Sequence, residues 1–402
     1  MKADLVAAVC LARRSFTKAD DRRIDRLGQK LCDGHRPPLH VSGCLTFIIS
    51  VLVVSQIFAA EELPRDPAKP AESYPNVDVL YETVQAPNRQ KLRAIVTRPH
   101  ESQGKLPVIF LAGWLSCDSV EAPADTKDTI GLILRGLAQT PGFCTFKIDK
   151  PGCGDSEGDC SQTDFDTELA GYRAAFRALK NHDFIDSDRV YIFGSSNGGG
   201  FAPLVPETEA EQAHVRGYIT IGGWVKTWFE HMLDIERRRF ALLKKSPGEV
   251  TDRIKGATTL YYEWLIKGRS IAEILKDKPE LAELWPEGKD QTHLYGRPLK
   301  FYQDLQRLNL AAAWSRVKVP ALILHGQFDW IMGREDSELI AQIVNANVAG
   351  AARFIEVPEM GHGGQHYLSM ADAFAGKEAP FDPKMIRTIT DWLEQQQKKP
   401  AG

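Results

Sequence analysis

The chain has 402 residues, 43% of them hydrophobic and 26% charged, with a formal net charge of -3. That balance suits a globular protein with a sizeable core; it offers no basic excess for nucleic acid and no acidic tail for a disordered tether.

The first 60 residues read apart from the rest. Cys44 to Val54 (CLTFIISVLVV) is apolar but for Thr46 and Ser50, and small Ala59 and Ala60 precede Glu61 and Glu62. A short apolar run followed by small residues and charge is the pattern of a secretory signal peptide. The run is short for a membrane helix. The expectation is therefore a secreted or periplasmic protein with no stable membrane span after cleavage; an uncleaved N-terminal anchor is the alternative. Met1 to Gly43 is long for the leading segment of a signal peptide, which places the true start downstream. Val41-Ser42-Gly43-Cys44 has the look of a lipobox, but it precedes the apolar run, which argues against lipidation.

Residues 61–75 (EELPRDPAKPAESYP) are rich in Pro and charge and read as a linker. Val77 to Val84 and Leu92 to Thr97 flank the polar turn Asn88-Arg89-Gln90 and read as an antiparallel pair. Pro107 to Ala112 (PVIFLA) is a continuous apolar run, expected of a strand buried on both faces. Phe143 to Ile148 is the next strand. Leu169, Tyr172, Ala175, Phe176 and Leu179 fall at helical spacing within Asp164 to Leu179. Arg189 to Phe193, Tyr218 to Ile221, Pro320 to Leu324 and Arg353 to Val357 read as strands, and Pro383 to Gln395 as the closing helix.

Strands separated by helices predict an α/β fold: a mostly parallel, eight-stranded sheet with helices on both faces. The alternation breaks over residues 223–316, which are charged, carry aromatic clusters and read as helical throughout. That stretch is too long for a bare loop and predicts a helical cap inserted in a core of residues 76–222 and 317–398. Export would leave Cys117, Cys144, Cys153 and Cys160 in the mature chain. Cys144 lies inside a strand-like run and reads as a buried thiol. Cys117 and Cys160 fall in loops expected at one edge of the sheet and are the preferred pair. Cys153–Cys160 is the local competitor, and all four stay reduced in a cytoplasmic protein.

The strongest chemical signal is Gly194-Ser195-Ser196-Asn197-Gly198, directly after an apolar strand and before a helix. A G-x-S-x-G turn needs glycine on both sides because strand and helix approach closely there, and the sharp turn lifts the serine above the sheet edge. Ser196 is the nucleophile in this reading; Ser195 is the competing serine. A serine hydroxyl needs a base, and the imidazole needs an acid to fix its tautomer. Residues 320–329 (PALILHGQFD) end a buried strand at Asp329, the orienting acid, which could alternatively cap the helix that follows. His362, in the glycine-rich segment Gly361-His362-Gly363-Gly364 after the last strand, is the base. His366 is its rival, and His325 reads as structural.

The oxyanion hole is assigned to the backbone N–H of Asn197 and of Trp114, with Leu115 next, because the loop after Pro107 to Ala112 supplies the second donor. Asp149 to Ser156 (DKPGCGDS) holds two glycines for a tight turn, tied down by Asp149. Asp149, Asp155 and Asp159 echo part of a calcium loop but lack its closing bidentate acid, so no metal is expected. No cofactor is expected either.

Together these segments resemble the α/β-hydrolase superfamily over Val77 to Gln397, with the three triad motifs in the family's order. Asp149 to Ser156 is similar to the Asp-x-Arg-Gly-x-Gly-x-Ser turn of the proline-iminopeptidase and esterase branch, with Pro151 where that branch has Arg. The chain also resembles secreted bacterial hydrolases with a cysteine after the oxyanion strand, here Cys117, which are of esterase or peptidase type. The resemblance implies acyl transfer from a small-molecule ester or peptide to water. An aminopeptidase with Glu230, Asp234 or Glu236 holding the substrate amine, an acyltransferase, and a binding protein with a dead site are the alternatives.

Overall fold

A computed structural model describes residues 62–398; the proposed signal peptide lies outside them. The sheet begins with an antiparallel pair, β1 (Val77–Gln85) and β2 (Lys91–Pro99). The turn between them places Arg89 at φ 69°, and its ends close through Ala86 N to Gln90 O. Then follow β3 (Leu106–Ala112), helix α1 (Thr129–Ala138), β4 (Cys144–Ile148), α2 (Phe165–Ala178) and β5 (Ile185–Ser195). The short helix α3 (Asn197–Phe201) and β6 (Val215–Ile221) come next. After a long helical insertion the chain returns through β7 (Ala321–Gly326), α9 (Arg334–Asn347), β8 (Ala352–Val357) and α10 (Lys384–Gln397).

The eight strands lie in the order β1-β2-β4-β3-β5-β6-β7-β8, parallel from β4 onward. The order reverses around β3, β4 and β5, which makes the crevice beyond their C-terminal ends the place where such sheets collect their functional loops. The apolar runs sit where their composition demands: Val108 to Ala112 and Ala321 to Leu324 are buried with helices on both sides. β5 starts earlier than its apolar part, because Ile185 already pairs with Leu106; the polar Asp186-Ser187-Asp188 falls in the register shift before Val190 meets Val108.

Between β6 and β7 the insertion holds α4 (Trp228–Leu242), α5 (Pro247–Tyr261), α6 (Ile271–Asp277), α7 (Leu299–Arg307) and α8 (Leu310–Trp314). Its helix starts are locally encoded. Thr227 with Glu230, Ser246 with Glu249, and Ser270 with Glu273 each form a reciprocal capping box. The insertion is not helical throughout: His293–Leu294 and Arg297–Pro298 pair as a small antiparallel hairpin. One hydrophobic core joins Phe110, Phe165 and Phe201 under the sheet with Trp264, Phe301 and Tyr302 of the insertion.

Residues 62–73 carry no helix or strand, yet they are packed. Leu63 is buried, and the buried Glu72 carboxylate pairs with Lys147 of β4. Among the described residues, no helix is long and apolar enough to cross a membrane.

Candidate active site

Ser196 stands at the end of β5 with φ 55° and ψ -118°. A non-glycine residue held there carries about 1–3 kcal/mol of backbone strain, so the surroundings must fix it. They do so by contact. A Cβ on Gly198 would lie 2.1 Å from Ala112 O and 2.4 Å from Gly113 O, and one on Gly194 would lie 2.5 Å from Gly198 O. The two glycines let the turn press against the loop after β3. Ser196 N is held by Ile221 O at 2.9 Å. Ser195, the competing serine, is buried at the strand end.

The three predicted side chains meet above the sheet edge. His362 Nε2 lies 2.9 Å from Ser196 Oγ, and His362 Nδ1 lies 2.8 Å from Asp329 Oδ2. This network assigns the tautomer: Nδ1–H donates to the carboxylate and Nε2 accepts from the serine hydroxyl. Asp329 follows β7 and does not cap a helix start, since α9 begins five residues later with Gly333 as its cap. Its second oxygen accepts from Ile331 N and Met332 N, both at 2.9 Å. The acid loop and the histidine loop are laced together by Phe328 N to Met360 O and Gln327 N to Val357 O.

Burial would raise the Asp329 carboxyl, but the His362 charge and its hydrogen bonds outweigh that and hold it below the usual carboxylate range. Burial would lower His362, and Asp329 outweighs that too, so the imidazole is more basic than usual. Gly222 makes room for this pair. It has φ +55°, and a Cβ there would sit 2.9 Å from Asp329 Oδ2 and 3.2 Å from His362 Nδ1. Sequence reasoning did not single out Gly222; a glycine pair at the end of an apolar strand was the available signal.

The two N–H groups expected to form the oxyanion hole belong to the two segments that touch at Gly198. The Asn197 N–H is first in its helix and has no acceptor within it. Gly113 N is already committed to Tyr172 Oη at 3.1 Å, which leaves Trp114 as the first free N–H of that loop. Against the serine turn, Trp224 Nε1 donates to Asn197 Oδ1 at 3.0 Å; Trp224 meets Trp228 edge to face at 4.9 Å between centroids, and Trp228 meets the tilted His231 ring at 4.7 Å. His231 is buried, with its Nδ1 unpartnered, and burial pushes its pKa down to about 3.

The remaining candidates lie outside this row. His366 is half-buried, 3.8 Å from Glu359 and 3.9 Å from Asp382. His325 is buried, and burial lowers its pKa. Asp149 binds Val120 N and Ser119 Oγ, Asp155 faces Lys69 and Arg93, and Asp159 caps a short turn at Ser161, so these aspartates do not converge on one point. A groove of 310 Å³, lined by Arg237, Ile254 and Lys255 among others, lies along α4 and α5 and includes no residue of the Ser196–His362–Asp329 row.

A mixed sheet that presents such a row beyond its strand ends defines the class of α/β hydrolases. Residues 108–377, more than half of the chain, match the model of the alpha/beta hydrolase family, and the chain belongs to that family. No curated protein matches the chain in sequence. Solved structures similar to it include Est1E from Butyrivibrio proteoclasticus with bound ferulic acid, at 16% identity and TM-score 0.49, covering 80% of this chain and 100% of that one. Carboxyl esterase 2 from Tuber melanosporum matches at 16% identity and TM-score 0.48, covering 85% and 95%. Acylaminoacyl peptidase from Pyrococcus horikoshii matches at 13% identity and TM-score 0.48, covering 82% of this chain and 43% of that one.

Proposed function

We propose that the protein is a serine hydrolase that cleaves a carboxylic ester through an acyl-enzyme on Ser196. His362 takes the hydroxyl proton as Ser196 attacks the carbonyl, and Asp329 holds the imidazole and stabilises its charge. The N–H groups of Asn197 and Trp114 receive the oxyanion. His362 then protonates the leaving alcohol and next activates the water that releases the acid. The observation that carries this reading is the unbroken hydrogen-bonded row from Ser196 through His362 to Asp329, assembled from three distant segments.

The insertion of residues 223–316 acts as a cap in this reading, tied to the serine turn by the buried Trp224 through Asn197. The three carboxylates considered for anchoring a peptide amine are already engaged. Glu230 closes the Thr227 capping box, Asp234 pairs with Lys226 at 2.6 Å, and Glu236 pairs with Arg253 at 2.6 Å. This supports ester over aminopeptide cleavage. The Cys117–Cys160 disulfide suits an oxidising compartment and supports reading residues 44–60 as a signal peptide.

The decisive experiment compares wild type with Ser196→Ala on p-nitrophenyl esters of rising chain length, beside aminoacyl p-nitroanilides. The expectation is ester turnover in wild type and a loss of roughly 10⁴-fold or more in Ser196→Ala, as when a triad nucleophile is removed. A fluorophosphonate probe should label wild type only. Near-normal turnover in Ser196→Ala would refute the assignment.

A further inference from the structure

The Trp114 N–H belongs to a loop, residues 113–118, with no helix or strand to hold it. Its aim is set by what grips the neighbouring peptide units. The unit before it is fixed by Tyr172, whose Oη accepts from Gly113 N. The unit after it is fixed by Lys150, which leaves the end of β4 and donates through Nζ to Trp114 O at 2.5 Å and to Ser116 O at 2.7 Å. The peptide unit carrying the Trp114 N–H is thus suspended between two anchored ones. With both neighbours fixed, the dihedrals of Gly113 and Trp114 have little freedom left.

A lysine is an expensive way to tie a loop. Lys150 is 2% exposed, and its burial disfavours the ammonium and lowers its pKa. The charges that act on it are mixed: Glu168 and Asp118 favour the ammonium, and Arg297 opposes it. An apolar side chain could fill the same volume without that cost. The ammonium supplies what such a side chain lacks, two strong donors on carbonyls of one loop.

We infer that Lys150 is a positioning residue for the oxyanion hole: by gripping the Trp114 and Ser116 carbonyls it aims the Trp114 N–H at the oxygen that becomes charged in the transition state. The inference rests on the proposed serine-hydrolase reading. Lys150 does not touch substrate. Its effect belongs to the transition state, because the donor it aims is worth most where negative charge develops.

The test uses the full chain and p-nitrophenyl butyrate. Lys150→Met is expected to lower kcat about 10- to 100-fold, somewhat less than deleting an oxyanion donor, with KM within about threefold of wild type. A trifluoromethyl ketone, which mimics the tetrahedral adduct, should bind more weakly by the same factor as kcat/KM falls, while inhibition by butyrate stays unchanged. A folded Lys150→Met enzyme with wild-type kcat and unchanged ketone affinity would overturn the inference, even with a lower melting temperature. Should Lys150→Met fail to fold, Lys150→Leu, which likewise has no donor, takes its place with the same two readouts and the same overturning result. Ser196→Ala runs in the same assay. If it retains activity, the catalytic reading itself fails; if it is inactive and the Lys150 variants are normal, only the present inference does.

Discussion

His362 is where two opposing effects on one proton are resolved. Burial favours the neutral ring, the Asp329 carboxylate favours the charged one, and the carboxylate wins, so the imidazole titrates above its ordinary value of 6.5. As the base it must be neutral to accept the serine proton. In the proposed mechanism kcat/KM for an ester therefore rises with pH through a midpoint above 6.5 and then levels off. Asp329→Asn removes the charge and leaves the burial, so the midpoint should fall below that of wild type while turnover drops about 10⁴-fold. A pH–rate profile of both proteins checks this, and an unmoved midpoint would uncouple Asp329 from the base. His231 does not blur the measurement. It belongs to the same residue type, but burial without a partnering carboxylate sets it at about 3, so it stays neutral where the base titrates.

The loops after β3 and β4 owe their cohesion to the Cys117–Cys160 disulfide, which joins points 43 residues apart. Closing a loop of that length in the unfolded chain accounts for about 4 kcal/mol in the chain-entropy model. The double variant Cys117→Ser/Cys160→Ser should therefore lose about 3–4 kcal/mol in denaturant unfolding, and a reductant should bring wild type toward the same curve. Cys153, the competitor for Cys160, has its Sγ within 4.8 Å of both bonded sulfurs yet stays a free thiol. Burial pushes its pKa up to about 12, so almost no thiolate forms to attack the neighbouring disulfide. Cys153→Ser should leave the unfolding curve nearly unchanged. An equal loss in that variant would mean that the serine disturbs packing and that the double variant does not isolate the cross-link.

At the scale of the whole molecule, the sequence was most legible where a local pattern and the tertiary structure demand the same thing. Val108 to Ala112 and Ala321 to Leu324 are apolar because a central parallel strand has two covered faces, and the glycines around Ser196 are there because backbones touch. Lys150 and Gly222 were illegible as parts of the site, and Arg297 as a tie to α2, for the opposite reason. What each does depends on a partner about 30 to 140 residues away, and no local period records that. The small hairpin at Arg297 was missed because each of its strands is two residues long. That hairpin carries the test of whether insertion and sheet fold as one body. Arg297 is fully buried and pairs with fully buried Glu168 of α2, its guanidinium resting 4.0 Å from the Phe301 ring centroid. Removing one partner of such a pair strands the other charge, at a cost of about 3–5 kcal/mol. Arg297→Met should lose that much, and adding Glu168→Gln should recover part of it by neutralising the stranded carboxylate. Because one core runs from Phe110 to Tyr302, the loss should shift a single calorimetric transition to lower temperature. A second transition split off at lower temperature would show instead that the insertion melts on its own.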